Sequence, residues 1–343
     1  MNLDIKMASK FVVLEATAPP KATTEYVDQV VRYADPAMNF RYLNPRTAVL
    51  RADVFHVHWP ELIVRGGGRI ETYARCLGLQ VVLALMRRRG TAIVRTLHNI
   101  EPHESGDAIE RWALARLDAR TDLYVRINSA TPLPADQGPL IPHGHYREAY
   151  EKYSKPPSIS GRILFAGLIR PYKGVEALIA AFRRTTSPSV TLRIVGKPTP
   201  ELEKEVTEAA TADSRISIKF GYVPDQEFVE EVSRAELVCL PYDNIHNSGA
   251  LLAALSLNRP TLVRDTPTTR ALAEEVGPGW VHLFTGELTS TDLELVLRAV
   301  RTKKPVEGPR LQNRDWSFIG EAYGAAFREA KRRVDERRRR AYA

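Results

Sequence analysis

Short runs of apolar and β-branched residues recur along the chain. They alternate with stretches whose apolar positions return every three or four residues. The strand-like runs are FVVLE (11–15), DVFHVH (53–58), TAIVRTL (91–97), DLYVRI (122–127), RILFAG (162–167), VTLRIVG (190–196), ISIKFG (216–221), LVCLP (237–241) and PTLV (260–263). Stretches such as VEALIAAFRR and DQEFVEEVSRAE carry the helical period. Alternation on this scale predicts βαβ units, and hence parallel sheets in an α/β fold. VFHVH and LVCLP are apolar nearly throughout, as expected of strands covered on both faces. From Asp315 onward the pattern predicts one long helix with Trp316, Phe318, Tyr323 and Phe327 on its apolar face.

The segment EKYSKPPSISG (151–161) is polar, holds two prolines and divides two sets of βαβ units. It sets the expected organisation: residues 1–157, residues 158–314, and a C-terminal helix with a basic tail over 315–343. A length of 343 residues suits two domains. An apolar fraction of 44% and a charged fraction of 26% are those of a folded globular chain. The most apolar stretch, Leu77 to Met86, is too short to span a bilayer. The opening MNLDIKMASK lacks the apolar centre of a signal peptide, so a cytoplasmic protein is expected. The two cysteines, Cys76 and Cys239, make neither a disulfide framework nor a zinc site.

Charge changes the picture only at the end of the chain. The net charge is +8, and KRRVDERRRR (331–340) alone holds seven basic and two acidic residues. No aromatic–basic interleaving accompanies it, so no nucleic-acid partner is expected. The tail suits either an anionic membrane surface or a solvated helix end. Arg87–Arg89, closing LALMRRRG, read the same two ways.

The chemistry concentrates in FAGLIRPYKGVEALIAAF (165–182). A strand ends at Gly167, a short loop carries Arg170 and Lys173, and a helix opens near Gly174. Beyond the carboxyl end of a parallel strand, two cations before a helix N-terminus suit a diphosphate. A second loop, YDNIHNSG, leads into an apolar helix with Asn247 or Ser248 as cap, and Gly249 allows close approach to the backbone.

GLIRPYKGVEALIAAF, LRIVGKP and GYVPDQEFVEEVSRAELVCLPY in this order resemble the donor half of the family 4-type glycosyltransferases. The resemblance covers most of residues 160–265. It implies a GT-B architecture: two facing Rossmann-like doubly wound domains, a C-terminal crossover helix, and an active site in the cleft. It implies a nucleotide-sugar donor held by Gly167, Arg170, Lys173, Gly196, Tyr222, Val223, Asn247, Ser248 and Gly249, with Tyr222 and Val223 near the base. The glutamate pair usual in the family is replaced by Ile245 and Ala253, which puts retaining stereochemistry in doubt. NSGALLAALSLNRP looks instead like the xanthan β-mannosyltransferase group, which implies GDP-mannose as co-substrate and inversion. With no DxD motif, neither a metal nor a further cofactor is expected, and the enzyme reads as a metal-independent hexosyltransferase.

The first half offers two His/Glu-bearing strand ends, DVFHVHWPE (53–61) and RTLHNIEPHE (95–104). Inverting transfer needs a base for the acceptor hydroxyl. The candidates are Glu61, His98 and Glu104, with Glu61 favoured because Trp59 beside it offers a face for a sugar ring. His98 matches the histidine that the family carries near the donor sugar. Thr24, His58, Trp59 and His145 are expected at a lipid-linked or polysaccharide acceptor. Thr23, Tyr26 and His143 are further contacts to weigh, against capping and turn roles. His56 is read as turned away from His58 and as a core histidine. Two other outcomes stay open: a retaining transferase of the same fold, and a non-catalytic protein that kept the fold.

Overall fold

The structure is a computed structural model and describes residues 11–19, 26–98, 106–133, 137–243, 247–303 and 305–343. It divides into two compact units, Met1–His143 with Trp316–Ala343, and Gly144–Asp315.

The first unit runs β1 (Phe11–Glu15), α1 (Tyr26–Tyr33), β2 (Met38–Tyr42), β3 (Val54–Val57), α2 (Pro60–Val64), α3 (Arg69–Arg89), β4 (Ala92–Leu97), α4 (Ala108–Asp118) and β5 (Leu123–Arg126). Its sheet is parallel, in the order β2-β1-β3-β4-β5. Side chains alternate between two faces. Val13, Val54, Ala92 and Val94 pack with α1 and the final helix, α11 (Trp316–Tyr342). Leu14, Phe55, Val57 and Ile93 pack with α2, α3 and α4. α11 buries Trp316, Ile319, Tyr323, Ala326, Phe327, Ala330 and Val334. Phe318, expected on that face, is 57% exposed; two residues from Trp316, it falls off the buried stripe, and Ile319 takes the place.

The second unit runs β6 (Arg162–Ala166), α5 (Val175–Arg183), β7 (Thr191–Gly196), α6 (Pro200–Thr211), β8 (Ile216–Phe220), α7 (Asp225–Arg234), β9 (Leu237–Leu240), α8 (Gly249–Ser256), β10 (Thr261–Arg264), α9 (Pro267–Val276), β11 (Val281–Phe284) and α10 (Ser290–Thr302). Its sheet is parallel as well, in the order β11-β10-β9-β6-β7-β8. The unit begins at Gly144, ahead of the break expected after residue 157, because Tyr146, Tyr150 and Tyr153 already pack on its core. β2 and β11 lack a sequence-predicted strand. Both lie at sheet edges, and each has only one buried residue, so neither carries the apolar run of a doubly covered strand.

The two strand orders carry functional information. In doubly wound sheets the ligand crevice opens where the order reverses. That point lies between β6 and β9 in the second unit and between β1 and β3 in the first.

Candidate active site

At the β6/β9 point, Gly167 follows the end of β6 at Ala166 and a single 3-10 turn, Pro171–Lys173, precedes α5. Gly174, at φ 65°, is the N-cap of α5, and a Cβ there would meet Pro241 O at 2.5 Å. Arg170 and Lys173 leave this turn toward opposite neighbours. Arg170 Nη1 donates to Ile169 O (2.7 Å) and Lys197 O (3.1 Å), on the β7 side. The Lys173 ammonium sits 4.1 Å from the Tyr242 ring centroid, just past β9. Burial, and secondarily the Arg170 charge, lower the Lys173 pKa to about 8. The two cations therefore straddle the reversal point.

α8 opens beside them. Ser248 is its N-cap, with the hydroxyl accepting from Leu251 N at 3.2 Å. Gly249 follows, with Tyr146 close by, and Asn247 precedes the cap. The Tyr242 hydroxyl is buried near Ser248 and, among the described residues, makes no hydrogen bond of normal geometry. It is a polar atom at the reversal point that the sequence did not single out. Gly196, at φ 148°, is required by backbone packing, since a Cβ would collide with Gly167 O. Tyr222 is 79% exposed, whereas Val223 packs against the core, so the two separate in character. Ala253, in the place of one family glutamate, is buried in the core; Ile245 lies outside the described residues.

At the β1/β3 point of the first unit, period two puts Glu15, His56, His58, Thr96 and His98 on the face covered by α1 and α11. Glu15 and His56 are register partners. Glu15 Oε1 lies 2.9 Å from His56 Nδ1, and His56 Nε2 lies 2.8 Å from Thr96 Oγ1. Thr96 continues to Tyr323 (3.0 Å) and Tyr323 to Tyr26 (2.8 Å). Glu15 Oε2 is 3.2 Å from His58 Nε2, a contact bent away from hydrogen-bond alignment. His58 Nδ1 is 3.0 Å from His98 Nε2. Two expectations change here. His56 and His58 share a face, with ring centroids 4.1 Å apart, because residues two apart on a strand point the same way. Tyr26 is buried in this network rather than presented to a ligand.

The electrostatics follow from burial and from the carboxylate. Burial pushes the Glu15 carboxyl up, but His56 and then His58 outweigh it and hold it down to about 2. Burial and His56 lower His58 to about 4. His98 falls well below the usual imidazole value through burial, then His58, His143 and His56. Near neutral pH an ionised Glu15 thus faces neutral His58 and His98. His58 Nδ1 and His98 Nε2 face each other at hydrogen-bond distance, so one of the two neutral rings donates there. Glu15, His56 and His58 also converge closely enough to hold a metal ion, but their contacts with one another and with Thr96 account for the cluster.

The other expected residues scatter. Trp59 stacks on His98 at 4.4 Å and 28°, so one of its faces is already covered. Glu61, in the first turn of α2, is half-buried and within electrostatic reach of Arg95. His145 belongs to the second unit, and its ring pairs with Asp315 at 2.5 Å. Thr23, Thr24 and Glu104 lie outside the described residues.

Residues 160–301 match the family model described as Glycosyl transferases group 1. Two proteins of Xanthomonas campestris pv. campestris, each named GDP-mannose:glycolipid 4-beta-D-mannosyltransferase, are 41% and 40% identical to this chain over 326 residues, 94% of the chain and 93% of each relative. Among solved structures, the lipopolysaccharide outer core galactosyltransferase WaaB in its apo form has a TM-score of 0.60 at 12% identity, over 93% of this chain and 99% of that one. Anabaena HepE in complex with UDP and glucose also reaches 0.60, at 14% identity, over 95% and 98%. At such identities the likeness speaks for the fold.

Proposed function

Because the chain belongs to the group 1 glycosyl transferases and has the GT-B fold, we propose that it transfers mannose from GDP-mannose to a lipid-linked saccharide, with inversion and without a metal. The curated relatives' names support the donor, the glycolipid acceptor and the β linkage. A β product from an α-configured donor sugar is inversion. The observation that carries the reading is the pair of cations straddling the β6/β9 reversal point.

In this reading the second unit holds the donor. Arg170, Lys173, the first turns of α5 and α8, and the Tyr242 hydroxyl take the diphosphate, and Tyr222 offers its exposed ring to the base. As the acceptor oxygen bonds to C1 of mannose, the C1–O bond to the β-phosphate breaks. Its electron pair leaves on the phosphate oxygen, and these donors stabilise that charge. His98 takes the proton from the acceptor hydroxyl. Glu15 and His58 are positioning residues: the His58 ring holds His98 at 3.0 Å and the Glu15 carboxylate offsets the charge it gains. Glu61 is the second candidate base, favoured by its half-buried place beside Trp59. The protein works as a peripheral enzyme at an anionic inner membrane face, where a lipid-borne acceptor lies.

The direct test incubates the protein with GDP-mannose, UDP-glucose or UDP-galactose and a glycolipid acceptor. GDP release with a β-mannosylated product by NMR is expected; an α anomer, or turnover only with a uridine donor, contradicts the reading. His98→Asn should abolish transfer while Glu61→Gln retains most of it, and the reverse result moves the base to Glu61.

A further inference from the structure

The outward face of α3 has no place in the transfer chemistry. α3 turns Thr72, Cys76, Leu79, Leu83 and Met86 to the core. The opposite side of such a helix is ordinarily polar. Here it carries Ile70, Tyr73, Leu77 and Val81, exposed by 87, 40, 56 and 61%. Spacings of three, four and four residues align them in one stripe. No charged residue intervenes between Arg75 and Arg87. The apolar surface continues on the helices packed against α3, with Leu62 of α2 63% exposed and Trp112 of α4 42% exposed. Over its 21 residues α3 is about 31 Å long. No helix among the described residues is long and apolar enough to cross a membrane.

The stripe ends in Arg87, Arg88 and Arg89, where the end of α11 comes alongside. Between them lies a groove of about 660 Å³ lined by Arg87, Arg88, Val334, Arg337, Arg338 and Ala341. Arg120 feels the same positive field: burial, then Arg116 and Arg87, lower its pKa, and its Nη1 is buried without a hydrogen-bond partner among the described residues. Much of the remaining basic tail is already neutralised within α11, through Lys331–Asp335, Arg332–Glu336 and Arg333–Glu329.

We propose that this face of the first unit docks on an anionic phospholipid bilayer. The stripe lies in the plane of the interface with its side chains among the upper acyl segments. Arg87, Arg88 and Arg338 of the groove engage lipid phosphates, while Arg337 is paired with Asp122. An apolar ridge that ends in a basic groove matches the apolar and anionic layers of such a bilayer. A soluble protein partner would have to supply both surfaces in the same order. The proposal rests on the glycolipid reading for its purpose, though not for its geometry. It moves the main membrane contact from the tail alone to α3 and the groove.

The test is flotation of the full-length protein with vesicles of phosphatidylcholine alone, or with about a third phosphatidylglycerol. Wild type should float with the anionic vesicles and much less with neutral ones. Leu77→Glu with Val81→Glu should lower that binding at least about tenfold, with an unchanged melting temperature and unchanged transfer to a detergent-dispersed acceptor. Arg88→Glu with Arg338→Glu should weaken binding at low salt. Flotation of the Leu77/Val81 variant at wild-type level overturns the proposal. So does a concentration-dependent dimer of the wild type that this variant abolishes without any effect on flotation. Flotation that responds as expected in a protein inactive with every donor would leave docking standing and remove the mannosyltransferase reading instead.

Discussion

Lys173 is the residue whose chemistry reports most directly on ligand. Its pKa is lowered to about 8 by burial and Arg170. A bound diphosphate favours the charged form and must raise that value. Above pH 8, binding then takes up a proton, so nucleotide affinity falls as pH rises, by up to about tenfold per unit. Titrations with GDP at pH 7 and 9.5 should show this loss, and Lys173→Arg, charged throughout, should flatten it. Arg170 and Lys173 were legible because a glycine-ended strand, a short loop and a helix start are local in sequence. Glu15 was not. Its partners are 41 and 43 positions away, and only the β1–β3 register brings them together. Glu15→Gln should cut kcat about tenfold or more and shift the kcat pH profile, with KM for GDP-mannose little changed. A purely structural Glu15 would leave the profile in place.

Among the elements, every central strand was legible, and the two strands missed, β2 and β11, are both edges. β6 and β9 announce themselves by near-continuous apolar runs, while β2 and β11 mix polar residues into exposed edges. The helix caps carry a separate lesson. Ser248 was expected as the cap of α8 as well as at the donor, and its hydroxyl accepts from Leu251 N. Ser248→Ala should therefore cost about 1 kcal/mol of stability by thermal melting. Its effect on GDP affinity should be small, since the N–H groups of α8 remain. Gly196→Ala should be far more damaging to folding, because its side chain would enter the space of the Gly167 carbonyl.

The whole molecule should be acid-labile in a defined window. His58 has a folded pKa of about 4 against an ordinary 6.5, so the unfolded chain binds a proton that the native one refuses. Stability from this group is complete above pH 6.5 and is lost as pH falls toward 4. Glu15, at about 2 against 4.5, extends the loss through the next window down. Melting temperatures should drop steadily below pH 6.5, and His58→Gln should flatten the upper part of that slope. The division into two units could be read from the strand pattern. Its boundary at Gly144 could not, because the tyrosines that begin the second core follow a polar, turn-like segment.

The central claim is that the β6/β9 crevice grips the diphosphate of the sugar donor. Isothermal titration of GDP into the wild type, Arg170→Ala and Lys173→Ala tests it most directly. The account predicts measurable GDP binding by the wild type and a loss of about 1.5–3 kcal/mol in each variant, with unchanged melting temperatures. Equal GDP affinity in all three proteins would contradict it.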